Sequence, residues 1–194
     1  MSAPQPRCPG GFQKDDMNSA SRELPVIYLK AGELHITEQP ASVLTVLGSC
    51  LAVTMLHRPT GINAICHGLL PECREMTGCS ADCSSADKYV VCAIRRMTKE
   101  FNRRGVAPRE IEVKVFGGAE MFSPGAGAKS TITVGKQNTE AALRAIAKEG
   151  LTIASMDVGG VQGRKLFFNT ATGEVLLKRL QPNVIIAKKK ADPQ

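Results

Sequence analysis

Cys50 and His67 are the side chains of this sequence whose types and spacing could support nucleophilic chemistry. A free thiol has a pKa of about 8.5 and is mostly protonated at neutral pH. An imidazole beside it can accept that proton and leave a thiolate, which is the nucleophilic form. Gly48 and Ser49 precede the cysteine, and backbone N–H groups there could stabilise an oxyanion because glycine permits close backbone approach. The alternative is that Cys50 is a buried small hydrophobe and His67 an ordinary strand histidine.

The two residues are predicted to lie on adjacent strands of one hairpin. Apolar runs flank residues 58–61, whose sequence RPTG is typical of a type I turn. If the first and last residues of that turn pair, His67 lies opposite Ala52. Cys50 is two residues before Ala52 and shares its face, so its Cβ lies roughly 7–8 Å from that of His67. A register slip of one residue would instead separate them onto opposite faces.

Two long helices are predicted after the hairpin. A capping box with Ser84 as its N-cap begins the first helix, which runs to about Arg104. A second helix, capped by Gly135 or Asn138, runs to about Glu149. The first helix carries an apolar stripe at helical spacing, formed by Val90, Ile94, Met97 and Phe101.

Short apolar or alternating segments predict strands at both ends of the chain. Besides the hairpin and the run before it, they are 26–29, 34–36, 111–115, 132–134, 151–158, 166–168, 175–177 and 184–186. Strands clustered in this way favour an α+β fold over a doubly wound sheet. His35 is predicted at a surface position of a strand, and His57, beside the turn, in solvent.

The composition indicates one globular domain with an aliphatic core. The chain has 194 residues, of which 43% are hydrophobic and 4% aromatic, and a net charge of +7. The basic residues are scattered and lack interleaved aromatics, so we expect no nucleic-acid partner. No apolar run approaches the ~20 residues of a membrane helix, and the N-terminal segment lacks a secretory pattern. We therefore expect a cytoplasmic protein without membrane insertion.

The seven cysteines are an odd number without regular spacing, so we expect free thiols in a reducing compartment. Cys73, Cys79 and Cys83 fall in a predicted loop, 71–85, which raises the question of a zinc site. Their spacings do not match the paired C-x2-C pattern of common structural zinc sites. We expect no metal and no organic cofactor.

Six segments of the sequence, taken in order, carry a family resemblance: 47–53 (LGSCLAV), 67–71 (HGLLP), 114–122 (KVFGGAEMF), 135–138 (GKQN), 157–165 (DVGGVQGRK) and 172–175 (TGEV). Together they resemble the CheD family, the chemoreceptor glutamine deamidases of bacterial chemotaxis. Several motifs in one order are more specific than any motif alone. The resemblance implies a mixed β-sandwich flanked by two long helices. It also implies a single deamidase domain at 25–187. The proline and glycine content of residues 1–24, without periodicity, predicts a disordered tail, and residues 188–194 are predicted to form a basic tail.

The resemblance further implies a cysteine hydrolase that converts receptor glutamines to glutamate. Cys50 and His67 match the family's catalytic pair, with Gly48 and Ser49 as backbone support. The family adds a threonine a few residues upstream of the cysteine; Thr45 is the candidate, although an ungapped count selects Leu44. Implied partners are methyl-accepting chemoreceptors and, in some bacteria, the phosphatase CheC. The resemblance also allows receptor methylesterase activity, and a non-catalytic regulatory module is the alternative function.

Overall fold

The structure is a computed structural model that describes residues 24–73, 86–120 and 133–181. Nine strands and two α-helices form within these ranges. They are β1 (Val26–Tyr28), β2 (Leu34–Thr37), β3 (Ser42–Leu47), β4 (Leu51–His57), β5 (Ile62–Gly68), α1 (Val90–Arg103), β6 (Glu112–Gly117), α2 (Val134–Lys148), β7 (Ile153–Val158), β8 (Arg164–Asn169) and β9 (Val175–Arg179). The predicted terminal tails, except residue 24, the strand at 184–186 and most of the cysteine-rich loop lie outside the described residues.

The strands form two mixed sheets. Sheet A has the order β1-β3-β8-β9, and sheet B has the order β2-β5-β4-β6-β7. Each sheet contains one parallel pair, β1 with β3 and β6 with β7, among antiparallel neighbours. The predicted α+β class with two helices is therefore confirmed.

Two apolar clusters divide the molecule into three layers. One cluster joins β3 and β8 of sheet A to the facing side of sheet B, where it includes Ala52, Ile65 and Phe116. The other joins the opposite side of sheet B to both helices. Sheet B is consequently covered on both faces, and every residue of β4 and β5 is buried.

The hairpin of β4 and β5 has the predicted register. Ala52 pairs with His67, and His57 pairs with Ile62 on either side of the turn. The predicted apolar stripe of α1 is also confirmed, since its four members are fully buried. Gly105 follows that helix with a φ of 79°, a conformation that suits glycine and ends the helix.

Several local predictions were wrong. The helix α1 begins at Val90 after a short 3-10 turn over 86–88, and its N-cap residue Tyr89 makes no side-chain cap. The predicted strand at 132–134 is wrong where it is described, because Thr133 caps α2 and Val134 is its first residue. His57 is 8% exposed, and its Nδ1 lies 2.8 Å from Thr60 Oγ1, so it is buried rather than solvated.

Candidate active site

His67 lies near the end of β5 on the face of sheet B that meets sheet A. The residue two positions earlier on the same face, Ile65, belongs to the cluster between the sheets. The side chain of His67 is almost completely enclosed, with 4% exposed. Backbone hydrogen bonds to Glu33 and Gly32 hold this end of β5 against the preceding chain. The imidazole is therefore held in the space between the two sheets.

Thr45 approaches this imidazole from the opposite sheet. It lies in β3, and its Oγ1 is 2.7 Å from His67 Nδ1 and 2.8 Å from the carbonyl oxygen of Leu29. A carbonyl can only accept, so the hydroxyl proton of Thr45 goes to Leu29. Nδ1 must then carry the ring proton and donate it to Oγ1. In the neutral ring Nε2 is left unprotonated, which is the state of a general base.

Leu44, the other residue that an ungapped count selects, supplies no hydroxyl. Its backbone carbonyl accepts a hydrogen bond from Leu29 N at 2.9 Å, as part of the contact between β1 and β3. The hydroxyl that meets the imidazole is that of Thr45.

Burial lowers the pKa of His67, opposed by a hydrogen bond at the Leu29 backbone and by the negative charge of Glu33. An imidazole whose pKa lies below its usual value of 6.5 is mostly neutral at pH 7. His67 is thus available to accept a proton at neutral pH.

Cys50 lies immediately before β4 and is half-buried. It packs against the cluster between the sheets, to which Ala52 also belongs. Cys50 therefore lies on the same side of sheet B as Ala52, and the pairing of Ala52 with His67 predicts that Cys50 and His67 are diagonal neighbours. Desolvation by burial raises the pKa of the Cys50 thiol, opposed by its own backbone N–H. The resting pair is then a neutral thiol and a neutral imidazole.

The chain leading to Cys50 is fixed through its carbonyl groups. Gly118 N donates to Cys50 O at 2.8 Å, and Ala119 N donates to Gly48 O at 2.9 Å. The N–H and C=O of a trans peptide point in opposite directions. The N–H of Ser49, in the same peptide as the Gly48 carbonyl, therefore points away from residues 118–119. This orientation suits an N–H group that is to meet a ligand oxygen.

Gly117 allows this close contact. Its φ is 111°, and a Cβ at this position would lie 2.3 Å from Cys50 O. A side chain here would require both a strained backbone and displacement of the Cys50 carbonyl. Gly117 and Gly118 together therefore hold the carbonyl of Cys50.

Asn138 is a residue of the site that sequence reasoning assigned only to helix capping. It lies inside α2, is fully buried, and donates through Nδ2 to Ser49 O at 3.0 Å and Leu69 O at 2.9 Å. The available signal was its membership of the segment 135–138 that resembles the CheD family. Its contacts depend on how α2 packs, which spacing does not predict.

An open groove of about 510 Å³ borders Thr45 and His67 on the sheet A side. Lys30 and Lys165 line it, together with Tyr28, which is 70% exposed. These side chains give the groove two positive charges and an accessible aromatic ring. It therefore suits a polypeptide segment that combines acidic and apolar side chains.

Cys66 differs from Cys50 in its surroundings. Cys66 is fully buried on the helix-facing side of sheet B, and burial raises its pKa to about 12. Among residues 24–73, 86–120 and 133–181, no group of three or more His, Cys, Asp or Glu side chains could hold a metal ion. Cys79 and Cys83 lie outside those ranges.

A family model and two curated relatives similar to this chain carry the CheD name. The family model described as CheD chemotactic sensory transduction matches residues 69–179. A probable chemoreceptor glutamine deamidase CheD 2 of Geobacter sulfurreducens is 45% identical over 164 residues, which are 84% of this chain and 96% of the relative. The probable chemoreceptor glutamine deamidase CheD of Maridesulfovibrio salexigens is 37% identical over 81% of this chain and 94% of its own.

One solved structure has a weak likeness to this chain. The crystal structure of Bacillus licheniformis hypothetical protein YfiH is 12% identical with a TM-score of 0.41, covering 64% of this chain and 50% of its own, a likeness too weak to inform function. Within the described part of the chain, no helix has both the length and the apolar character needed to span a bilayer.

Proposed function

The chain belongs to the CheD family, and from this premise we propose that it is a protein-glutamine deamidase acting on methyl-accepting chemoreceptors. The relatives at 45% and 37% identity are named as probable chemoreceptor glutamine deamidases. The proposed reaction converts a receptor glutamine to glutamate and releases ammonia. Cys50 is the nucleophile, His67 the general base and acid, and Thr45 the residue that orients the imidazole.

Acylation begins with proton transfer from the Cys50 thiol to Nε2 of His67. The sulfur attacks the side-chain amide carbon of the glutamine, and the carbonyl electrons move to oxygen to give a tetrahedral oxyanion. The N–H groups of Ser49 and Cys50 donate to that oxygen. The protonated His67 gives its proton to the amide nitrogen, the C–N bond breaks, and ammonia leaves a thioester on Cys50.

Deacylation uses the same groups, with water in place of the Cys50 thiol as the nucleophile. His67 removes a proton from water, and the resulting hydroxide attacks the thioester carbon. The second oxyanion collapses, the C–S bond breaks, and Cys50 recovers its proton from His67. The products are a receptor glutamate and the free enzyme.

The hydrogen-bond chain from His67 through Thr45 to Leu29 is the observation that best supports this proposal. It leaves Nε2 with a lone pair while the ring is neutral, and burial keeps the ring neutral at pH 7. A histidine with only a structural role does not require this particular tautomer. The arrangement matches the orientation logic of a nucleophile, a base and a third residue.

The direct test is Cys50→Ala, assayed on a recombinant cytoplasmic domain of a methyl-accepting chemoreceptor. Peptide mass spectrometry measures conversion of glutamine to glutamate. We expect loss of conversion in Cys50→Ala and near-normal conversion in Cys66→Ala, a matched control whose cysteine lies on the opposite face of sheet B. Full conversion by Cys50→Ala would refute the proposal.

The same acyl-enzyme would also form from a receptor glutamyl methyl ester, because attack by Cys50 would release methanol, protonated by His67, in place of ammonia, and water would then hydrolyse the thioester. The substrate for that assay is the methylated receptor domain, and Cys50→Ala is expected to abolish both activities together.

Regulatory binding to receptors or to a CheC-type phosphatase is a second candidate role. Exposed Tyr28 and Val46 beside the groove favour it, because exposed aromatic and aliphatic side chains are typical of docking surfaces. Cys50→Ala is expected to keep such binding, whereas Tyr28→Ala weakens it. If neither variant loses binding, this surface is not the docking site.

A further inference from the structure

Asn138 connects the chain that precedes Cys50 to the chain that follows His67. One amide group donates both of its N–H bonds, to Ser49 O at 3.0 Å and to Leu69 O at 2.9 Å. Ser49 is adjacent to the nucleophile, and Leu69 is two residues beyond the base. A single side chain from the helix layer thus sets the separation of the two segments.

The orientation of this amide is determined by its partners. Both contacts are carbonyl oxygens, so rotation by 180° would place Oδ1 against two acceptors. Oδ1 itself is buried without a hydrogen-bond partner among the described residues. A buried polar atom without a partner is costly. The two N–H bonds are therefore what asparagine supplies at this position.

Close packing of α2 brings Asn138 within reach. A Cβ on Gly135 would lie 2.5 Å from Ala119 O, and a Cβ on Gly118 would lie 2.3 Å from Thr139 Oγ1. Both positions accommodate glycine because no side chain larger than hydrogen fits. The first turns of α2 can consequently lie directly against residues 118–119, which hold the chain leading to Cys50.

The bond to Ser49 O fixes one peptide plane. The Ser49 carbonyl and the Cys50 N–H belong to the same peptide and point in opposite directions. Because Asn138 holds the carbonyl, the Cys50 N–H is directed away from α2. Without Asn138 the Ser49 carbonyl loses this partner, and the peptide is free to rotate.

We propose that Asn138 is a positioning residue that orients the peptide between Ser49 and Cys50 so that the Cys50 N–H can bind the oxyanion. This inference rests on the deamidase function proposed above. It assigns to the helix layer a role in transition-state stabilisation, separate from activation of the thiol by His67 and Thr45.

The test compares Asn138→Ala with the wild type in two reactions of the same thiol. Deamidation of the chemoreceptor domain needs an oxyanion site, whereas alkylation of Cys50 by iodoacetamide does not. Removing one oxyanion donor typically lowers kcat by about 10²–10³-fold. We therefore expect kcat for deamidation to fall by about 10²-fold with little change in KM, while the alkylation rate at Cys50, read by mass spectrometry, changes by less than about threefold.

Asn63→Ala is the matched control, because Asn63 is also a buried asparagine. Its Nδ2 donates to Gly61 O at 3.1 Å at the far end of the hairpin, and its Oδ1 likewise lacks a partner among the described residues. It is expected to keep kcat near the wild-type value at a comparable loss of stability. If Asn138→Ala does not fold, Asn138→Ser removes less volume and serves for the same pair of reactions.

Three outcomes would overturn the inference. The first is an unchanged kcat in a folded Asn138 variant. The second is an equal fall in deamidation and alkylation, which would place Asn138 in thiol activation instead. The third is an equal loss of kcat in Asn63→Ala. An inactive wild type with a folded structure would refute the deamidase function itself, and the inference with it.

Discussion

Replacing Thr45 by valine removes the group that orients the imidazole of His67 but keeps the imidazole itself. Valine has nearly the shape of threonine but lacks the hydroxyl that accepts from Nδ1 and donates to Leu29 O. The ring can then place its proton on Nε2, which removes the base. Thr45→Ser keeps the hydroxyl and restores the geometry. The pair of variants therefore tests the hydrogen bond itself.

The expected magnitude follows from the charge that develops on His67. A neutral hydrogen bond contributes about 1 kcal/mol, and one to a charged group about 1.5–3 kcal/mol. The bond to Thr45 becomes charge-assisted only when the ring accepts the thiol proton, so its loss raises the barrier by the difference, about 0.5–2 kcal/mol. That difference corresponds to roughly 2–30-fold in kcat. Loss of the favoured tautomer adds to it, and we expect a decrease of about tenfold or more.

The assay is steady-state deamidation of the chemoreceptor domain, with ¹⁵N NMR of the histidine rings. The sequence has three histidines, so the ring signals can be assigned by substitution. Thr170→Val is the control, because Thr170 Oγ1 also accepts from one backbone N–H and donates to one carbonyl while buried. Both valine variants should lose about 1–3 kcal/mol of unfolding free energy. A kcat for Thr45→Val equal to that of Thr170→Val, or an Nε2–H ring in the wild type, would refute the reasoning.

Two further predictions concern titration and packing. Burial lowers the pKa of His67 and raises that of Cys50, so kcat/KM should rise with pH on the acidic side, as His67 loses its proton, and should stay high through neutral pH before it declines on the alkaline side. An alkaline decline that begins near neutrality would contradict the neutral pair. Gly117→Ala should destabilise the fold and slow deamidation more than Gly105→Ala does, since both glycines have positive φ but only the former meets Cys50 O; equal effects in urea unfolding and kcat would contradict this.

The sequence predicted the pairing of Ala52 with His67 because hairpin geometry is local. Pairing across the turn determines which residues oppose one another, and the strand period of two determines the face. The apolar stripe of α1 was predictable for the same reason, since its period of 3.6 is independent of tertiary contacts.

Features that depend on contact between layers were not predictable. Thr45 meets His67 only because sheet A packs on sheet B, and sequence counting could not separate it from Leu44. Asn138 reaches Ser49 only because α2 packs closely on the glycine-containing segment before it. For Thr45 and Asn138 a long-range contact thus decided the outcome. His57 is a different case, since it is buried although it borders a turn and its ring lies beside Thr60, three residues along the chain.

The start of α2 shows a local failure with a physical cause. Val134 and the preceding isoleucine look like a strand, because β-branched residues favour extended backbone. Thr133 nevertheless accepts from Lys136 N and begins the helix. An N-cap threonine thus outweighed the preference of the residue that follows it.

Thr45, His67 and Asn138 belong to sheet A, sheet B and the helix layer, respectively. On the mechanism proposed above, the hairpin alone would supply the sulfur and the imidazole without the groups that aim them. Full reactivity would then require all three layers to be assembled, and a displacement of one layer against another would be enough to switch it off in a chain that is still folded.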